Sequence, residues 1–350
     1  MSKVLFICSA NLLETISPPL LDRMETIELS GYTSHEKKEI ANNYLLPKNL
    51  EKCGLKDDYT IKFTDDALTG LIVNYAREAG VRSLDKYIRR VCEKICLKIV
   101  KAEENLYSED NEIIVHQTKL RDFVGVPIFS SQRMYEQLAE GISIGLGYNS
   151  MGGSILYIET CKNSYPVSLE NSDGKSDKDA GEVIDGEEKS GNTSKLTVTG
   201  SLGKVMQESI QIAHTYAKYV MHDGFGNEYL EMNDIHIHFP EGASKKDGPS
   251  AGITITTALI SLALGKPIPN NFGMTGEISL NGKIMKIGGV REKILAAKRE
   301  GLRQIIMPGG NKADVDELQG YVKEGVEFHF VNHYEDAMKI LFPDVRKVMS

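Results

Sequence analysis

The chain has 350 residues, 41% of them hydrophobic, and a formal net charge of −8, a length that accommodates two or three domains, each with its own core. No apolar run approaches the ~20 residues of a membrane-spanning helix, and the acidic balance argues against a dominant phosphate-binding surface for nucleic acid. Cys8, Cys53, Cys92, Cys96 and Cys161 are odd in number and too scattered for a disulfide framework, and two cysteines on one helical face, Cys92 and Cys96, do not make a zinc site, so no structural metal is expected.

Residues 3–10 (KVLFICSA) form a short continuous apolar run, the pattern of a strand buried on both faces of a parallel sheet. The run ends at Asn11, where open α/β sheets place ligand-binding groups. From 34 to 104 the periodicity turns helical: Ser34 to Tyr44, then Thr64 to Ala79 with Thr64 or Asp65 as cap and Gly80 as stop, then Ser83 to Glu104. The last of these carries Leu84, Ile88, Val91, Ile95 and Ile99 at spacings of three and four, a core-facing stripe. After Phe123 the pattern is mixed, with strands expected at 154–160, 195–200 and 235–239 and a helix from Leu202 to Met221. EISLNGKIMKI (277–287) reads as a hairpin with Asn281-Gly282 as a two-residue turn. A helix from Val290 to Glu300 and strands at 304–307 and 326–331 follow. Residues 171–194 hold no aromatic and only Val183 and Ile184 as large apolar residues. They cannot offset the entropy cost of ordering and are expected to form a disordered insertion.

The strand at 235–239 feeds PEGASKKDGPSAGITITTALISLALG (240–265). Pro249 stands where a helix begins, which puts Ser250 in the first turn, facing the positive end of the helix dipole and amides that can stabilise an oxyanion. Taken alone, GPSAG reads more readily as a plain helix cap. A nucleophilic serine needs a base, either a histidine or a neutral lysine. His236 and His238 share one face of the strand leading toward Ser250. Lys293 has Gly289, Val290, Ala296 and Ala297 as helical neighbours, which permit burial and a depressed pKa. Arg291 and Lys298 also have apolar neighbours, so these patterns leave the base open.

Three segments, Lys245 to Gly252 (KKDGPSAG), Met274 to Glu277 (MTGE) and Gly288 to Lys293 (GGVREK), resemble in order and interval the motifs of the Lon protease family. GSLGKVMQES (200–209) and residues 123–127 are also similar to that family. Upstream, VLFICSAN resembles the sensor-1 strand of an AAA+ ATPase module, Leu20 to Glu25 its arginine-finger segment, and Gly80 to Leu84 its sensor-2 segment. The resemblance covers nearly the whole chain except 163–195.

The resemblance implies an α/β (α+β) fold: a remnant of the AAA+ α/β subdomain at 1–30, a helical AAA+ small domain at 31–122, and an α/β Lon-type protease domain at 123–345. It implies an ATP-dependent serine endopeptidase that degrades misfolded, damaged or regulatory proteins, with Ser250 as nucleophile and Lys293 as base. Thr275 would help orient Lys293, and His238 would support the site. Asp247 would block the site in inactive states, although an Asp before Gly-Pro also suits a turn. Asn11, Arg23 and Arg82 would sense nucleotide. Unfolded proteins are the implied substrates, and a hexameric ring the implied assembly. The family's G-x-A-W-T-x-x-G-G stands here as Gly145 to Gly153 with Tyr148 in place of the tryptophan, and Lys245 replaces a proline, departures that bear on substrate preference and loop geometry. The sequence has no G-x-x-x-x-G-K-[ST] loop, so the chain is expected to be a piece of a longer protein, with ATP and magnesium as cofactors of the whole and none of its own. Two other readings are an inert AAA+ and protease-fold assembly scaffold, and a Ser-His-Asp hydrolase using His236 or His238. The composition of 171–194 resembles mitochondrial members of the family, so the mitochondrial matrix is the expected compartment and the bacterial cytoplasm the alternative.

Overall fold

The computed structural model describes residues 3–10, 16–27, 29, 31–55, 59–101, 112–129, 133–149, 152–163, 194–240 and 246–345. Asn11, residues 171–193 of the expected insertion, and Lys245 lie outside the described residues. Residues 3–10 do not form the expected buried strand: Leu5 and Ile7 are 84% and 88% exposed. No strand among the described residues pairs with them, and a strand cannot bury its backbone without a ladder.

A short helix α1 (Pro18–Leu21) precedes a smaller hydrophobic core. Helix α2 (Ser34–Ile40) opens on a capping box, in which Thr33 Oγ1 accepts from Glu36 N at 3.2 Å and Glu36 Oε2 accepts from Thr33 N at 2.7 Å. It runs through a π-turn at Ala41–Leu45 into α3 (Leu46–Lys52), beyond the expected end at Tyr44. Pro47 near the start of α3 lacks an N–H, and the wider turn just before it absorbs that gap in the ladder. Strand β1 (Thr60–Phe63) leads to α4 (Asp65–Asn74), which is capped by Thr64 and ends short of Ala79. The Asn74 carbonyl accepts from Ile128 N and Phe129 N at 3.0 and 2.9 Å instead of from the next turn. Helix α5 (Arg82–Val100) buries Leu84, Ile88, Val91 and Ile95 as its stripe requires. Strand β2 (Glu112–Val115) pairs parallel with β1, and α6 (Leu120–Val124) closes the small core.

The larger core is a mixed, mostly parallel sheet with helices on both faces. Its elements run β3 (Ile142–Asn149), β4 (Gly152–Lys162), β5 (Leu196–Thr199), α7 (Lys204–Phe225), α8 (Tyr229–Met232), β6 (Ile235–His238), α9 (Gly252–Leu264) and β7 (Phe272–Met274). Then come β8 (Glu277–Ile278), β9 (Ile284–Met285), α10 (Val290–Arg299), β10 (Gln304–Pro308), α11 (Lys312–Asp316), α12 (Gly320–Lys323), β11 (Glu327–Val331) and α13 (Tyr334–Leu341). Seven strands pair in the order β11-β10-β7-β3-β4-β6-β5, antiparallel only where β4 meets β3 and β6. The β8–β9 hairpin closes over three residues rather than two: Ser279 N donates to Lys283 O at 3.0 Å, with Gly282 at φ 78°.

Helix α9 is buried nearly all round, the signature of a central helix. Its buried hydroxyls are satisfied by backbone, Thr256 donating to Gly252 O at 2.9 Å and Thr257 to Ile253 O at 2.7 Å. Ser143 of β3 donates to Thr254 O at 3.0 Å, which ties α9 to one face of the sheet. Helix α10 covers the other face so closely that a Cβ on Gly153 of β4 would lie 1.9 Å from Glu292 O. The sandwich therefore packs α10 directly against β4 at the turn that carries Lys293.

Candidate active site

Pro249–Ala251 form a 3-10 turn that leads straight into α9, so Ser250 sits just ahead of the helix proper. Backbone bonds lock this turn onto the residues after β7. Gly276 N donates to Ser250 O at 2.8 Å, and Ile253 N donates to Gly276 O at 3.0 Å. Thr275 N in turn donates to Ile306 O of β10 at 3.0 Å. The fully buried Thr275 then joins both candidate residues: its Oγ1 donates to Ser250 O at 3.3 Å and accepts from Lys293 Nζ at 3.0 Å.

Lys293 is 1% exposed, and burial pushes its pKa from 10.5 down to about 8. The Tyr148 ring stands 5.6 Å from Nζ, on the wall of a cavity of about 440 Å³ that Ser250 and Lys293 also line. Leu146, Leu156, Met206 and Ile287 give that cavity an apolar side. Burial lowers the pKa of a lysine because the low-dielectric interior penalises the charged form. A buried amine of lowered pKa, a serine and an apolar recess thus share one space.

Asp247 also lines this cavity. Its Oδ1 accepts from Met206 N at 3.3 Å and from its own neighbour Gly248 N at 3.0 Å. Gly203, at the N-cap of α7, leaves room for the carboxylate, which lies 1.9 Å from where a Cβ would stand. Asp247 therefore caps α7 from across the chain, and its hydrogen bonds go to backbone rather than to Lys293. Flanking bonds tighten the same junction, Lys246 N to Ser201 O and Gly203 N to Lys246 O, both at 2.8 Å.

His236 Nε2 and His238 Nδ1 both meet Thr199 Oγ1, at 2.9 and 2.7 Å, and neither ring lines the cavity. Arg23 follows α1 and Arg82 opens α5; both are exposed and far apart in the chain from the cavity-lining residues. The sequence reading singled out Tyr148 only as a departure from a motif and passed over Met206 and Ile287. The signal for the first was present, since Ile142, Ile144, Leu146 and Tyr148 alternate with small residues along β3.

Residues 114–173 and 180–344 match the profile of the Lon protease (S16) C-terminal proteolytic domain, and residues 51–107 that of the Lon protease AAA+ ATPase lid domain. The chain is 46% identical over 345 residues to the human mitochondrial Lon protease homolog, an overlap of 98% of this chain and 33% of that protein. It is 44% identical over 346 residues to the Lon protease of Chlamydia muridarum, 99% of this chain and 39% of the other. With the mitochondrial homolog of Drosophila melanogaster the identity is 45% over 353 residues, 100% of this chain and 32% of the relative. The chain thus spans 32% to 39% of the length of these relatives. On the proteolytic-domain and lid profiles together, the chain belongs to the Lon protease family.

Proposed function

We propose that the chain is a serine endopeptidase acting on unfolded segments of protein, with Ser250 as nucleophile and Lys293 as general base. The observation that supports this reading most is the state of Lys293: buried, hydrogen-bonded to a threonine hydroxyl, and shifted to a pKa of about 8. Lys37 is buried too, but its ammonium donates to the Glu78 carbonyl, which holds the proton in place. A lysine held near neutrality beside a serine can accept a proton.

In the proposed mechanism, neutral Lys293 takes the Ser250 hydroxyl proton as Oγ attacks the scissile carbonyl. Amides in the Pro249–Ala251 turn stabilise the oxyanion. Lys293 then returns the proton to the leaving amine, and an acyl-serine remains. Lys293 next takes a proton from a water that attacks the acyl carbon, and returns it to Ser250 Oγ as the acyl C–O bond breaks and the second product leaves. Thr275 receives one N–H of Lys293, which turns the amine lone pair toward the serine.

The sequence has no G-x-x-x-x-G-K-[ST] loop to make a site for ATP and magnesium. We assign that site to the remainder of a longer protein, where Arg23 and Arg82 would reach a nucleotide held by an adjoining subunit of a hexameric ring. The mitochondrial matrix is the compartment we propose, on the composition of 171–194.

Peptide cleavage tests the dyad. Ser250→Ala and Lys293→Ala are each expected to lower kcat by ~10³-fold or more with the fold intact by circular dichroism. Lys293→Arg is expected to fail as well, since a guanidinium stays protonated. Substantial activity in Lys293→Arg, or complete loss in a folded His238→Ala, would move the base to a histidine.

A further inference from the structure

Two residues before Lys293 on α10, Arg291 leaves the sandwich and enters the small-core domain. Its Nη2 lies 3.0 Å from Glu36 Oε2 and 3.3 Å from Glu36 Oε1, and its Nη1 donates to Gly31 O at 3.3 Å. Glu36 is the carboxylate that also closes the capping box of α2. Tyr321 of α12 fills the corner: its hydroxyl is 3.4 Å from both Thr33 Oγ1 and Arg291 Nη2, and its ring stacks on His35 at 5.8 Å. Lys298, on the same helix as Arg291, donates to Tyr321 O at 2.6 Å.

The Arg291 side chain is 20% exposed and that of Glu36 36%, so the pair is partly shielded from solvent screening. A planar fork that meets two carboxylate oxygens and a carbonyl also fixes direction, which a lysine in its place would not. On the far side of α2 the contacts continue toward α5. Tyr32 N donates to Ala79 O at 2.8 Å, and the buried Lys37 ammonium donates to Glu78 O. The Glu78 carboxylate accepts from Ser83 N and Leu84 N at 2.6 and 2.9 Å, which caps the helix that Arg82 opens.

We propose that Glu36 and Arg291 are positioning residues, a clasp by which the small-core domain holds α10, and with it Lys293, in place for catalysis. This inference rests on the Ser250–Lys293 reading. Neither residue lines the cavity, and both act through the helix that bears the base. The Glu36–Arg291 pair joins α2 directly to α10, so movement of α2 relative to the sandwich is transmitted to the first turn of α10.

The test uses the whole chain, a fluorogenic peptide and amide hydrogen exchange. Glu36→Gln and Arg291→Met are each expected to lower kcat about five-fold with KM unchanged. The double variant is expected to fall no further than the worse single variant, because the two side chains act as one unit. Exchange at Val290–Lys293 is expected to quicken in Glu36→Gln, although the substitution lies in the other domain. Unchanged exchange across α10, or kcat losses that multiply in the double variant, overturns the clasp. Ser250→Ala and Lys293→Ala, measured alongside, separate the two readings. Activity in either means that the dyad is misassigned, and the exchange measurement still decides the clasp. Dead dyad variants beside a fully active Glu36→Gln overturn the clasp alone.

Discussion

Lys293 is held at a pKa of about 8 by burial, and the unfolded chain keeps its proton to about 10.4. Between those values the unfolded state binds more protons than the folded one, so stability rises with pH across that window. Below the folded pKa the cost of the buried ammonium is present in full, on the order of 3 kcal/mol. Lys293→Met is therefore expected to raise stability in urea unfolding at pH 7 while abolishing cleavage, and the gain should shrink by pH 10. A less stable Lys293→Met at pH 7 would mean that burial is not what lowers the pKa. Peptidase activity of the unaltered chain is expected to climb as pH approaches 8, without a step near ~6.5 that would mark an imidazole. Helical neighbours alone did not distinguish Lys293 from Arg291 and Lys298. What separates them is tertiary: Arg291 turns to Glu36, Lys298 to the Tyr321 carbonyl and Lys293 inward to Thr275. The motif resemblance picked out Lys293 where periodicity could not.

At the scale of elements, the cap supplied by Asp247 makes α7 and the serine turn one mechanical piece. Asp247→Ala removes the acceptor for Met206 N and is expected to cost about 1 kcal/mol in urea unfolding, with Asp247→Asn retaining most of it. Equal losses from the two variants would show that the carboxylate is not acting as a cap. Long periodic helices were legible: α5 and α7 lie within a few residues of the expected bounds. Elements decided by distant partners were not. Helix α4 stops where Ile128 and Phe129 claim the Asn74 carbonyl, and β1 and β2 are too short to show a period. Strand β3 has the alternation of a strand, but Gly145 and Gly147 lower its strand propensity. Gly145 is there because α9 passes so close that a Cβ would lie 3.2 Å from Thr254 Oγ1.

Across the whole molecule, the α/β class and the neighbourhood of Ser250, Thr275 and Lys293 were legible from motifs in order. The fate of residues 3–10 was not, because an apolar run specifies a buried strand only where other strands are there to pair with it. The purified chain is expected to show no ATP turnover in a phosphate-release assay, since its sequence lacks a loop to cradle phosphates. Turnover that co-purifies with the chain and is lost in Arg82→Ala would reverse that assignment. The sheet order also has a consequence for synthesis. Thr275 is pinned to Ile306 of β10, a residue that leaves the ribosome after both Ser250 and Lys293. The proposed dyad is therefore completed only when translation has passed β10, and a nascent chain is expected to cleave no peptide until its sheet has closed.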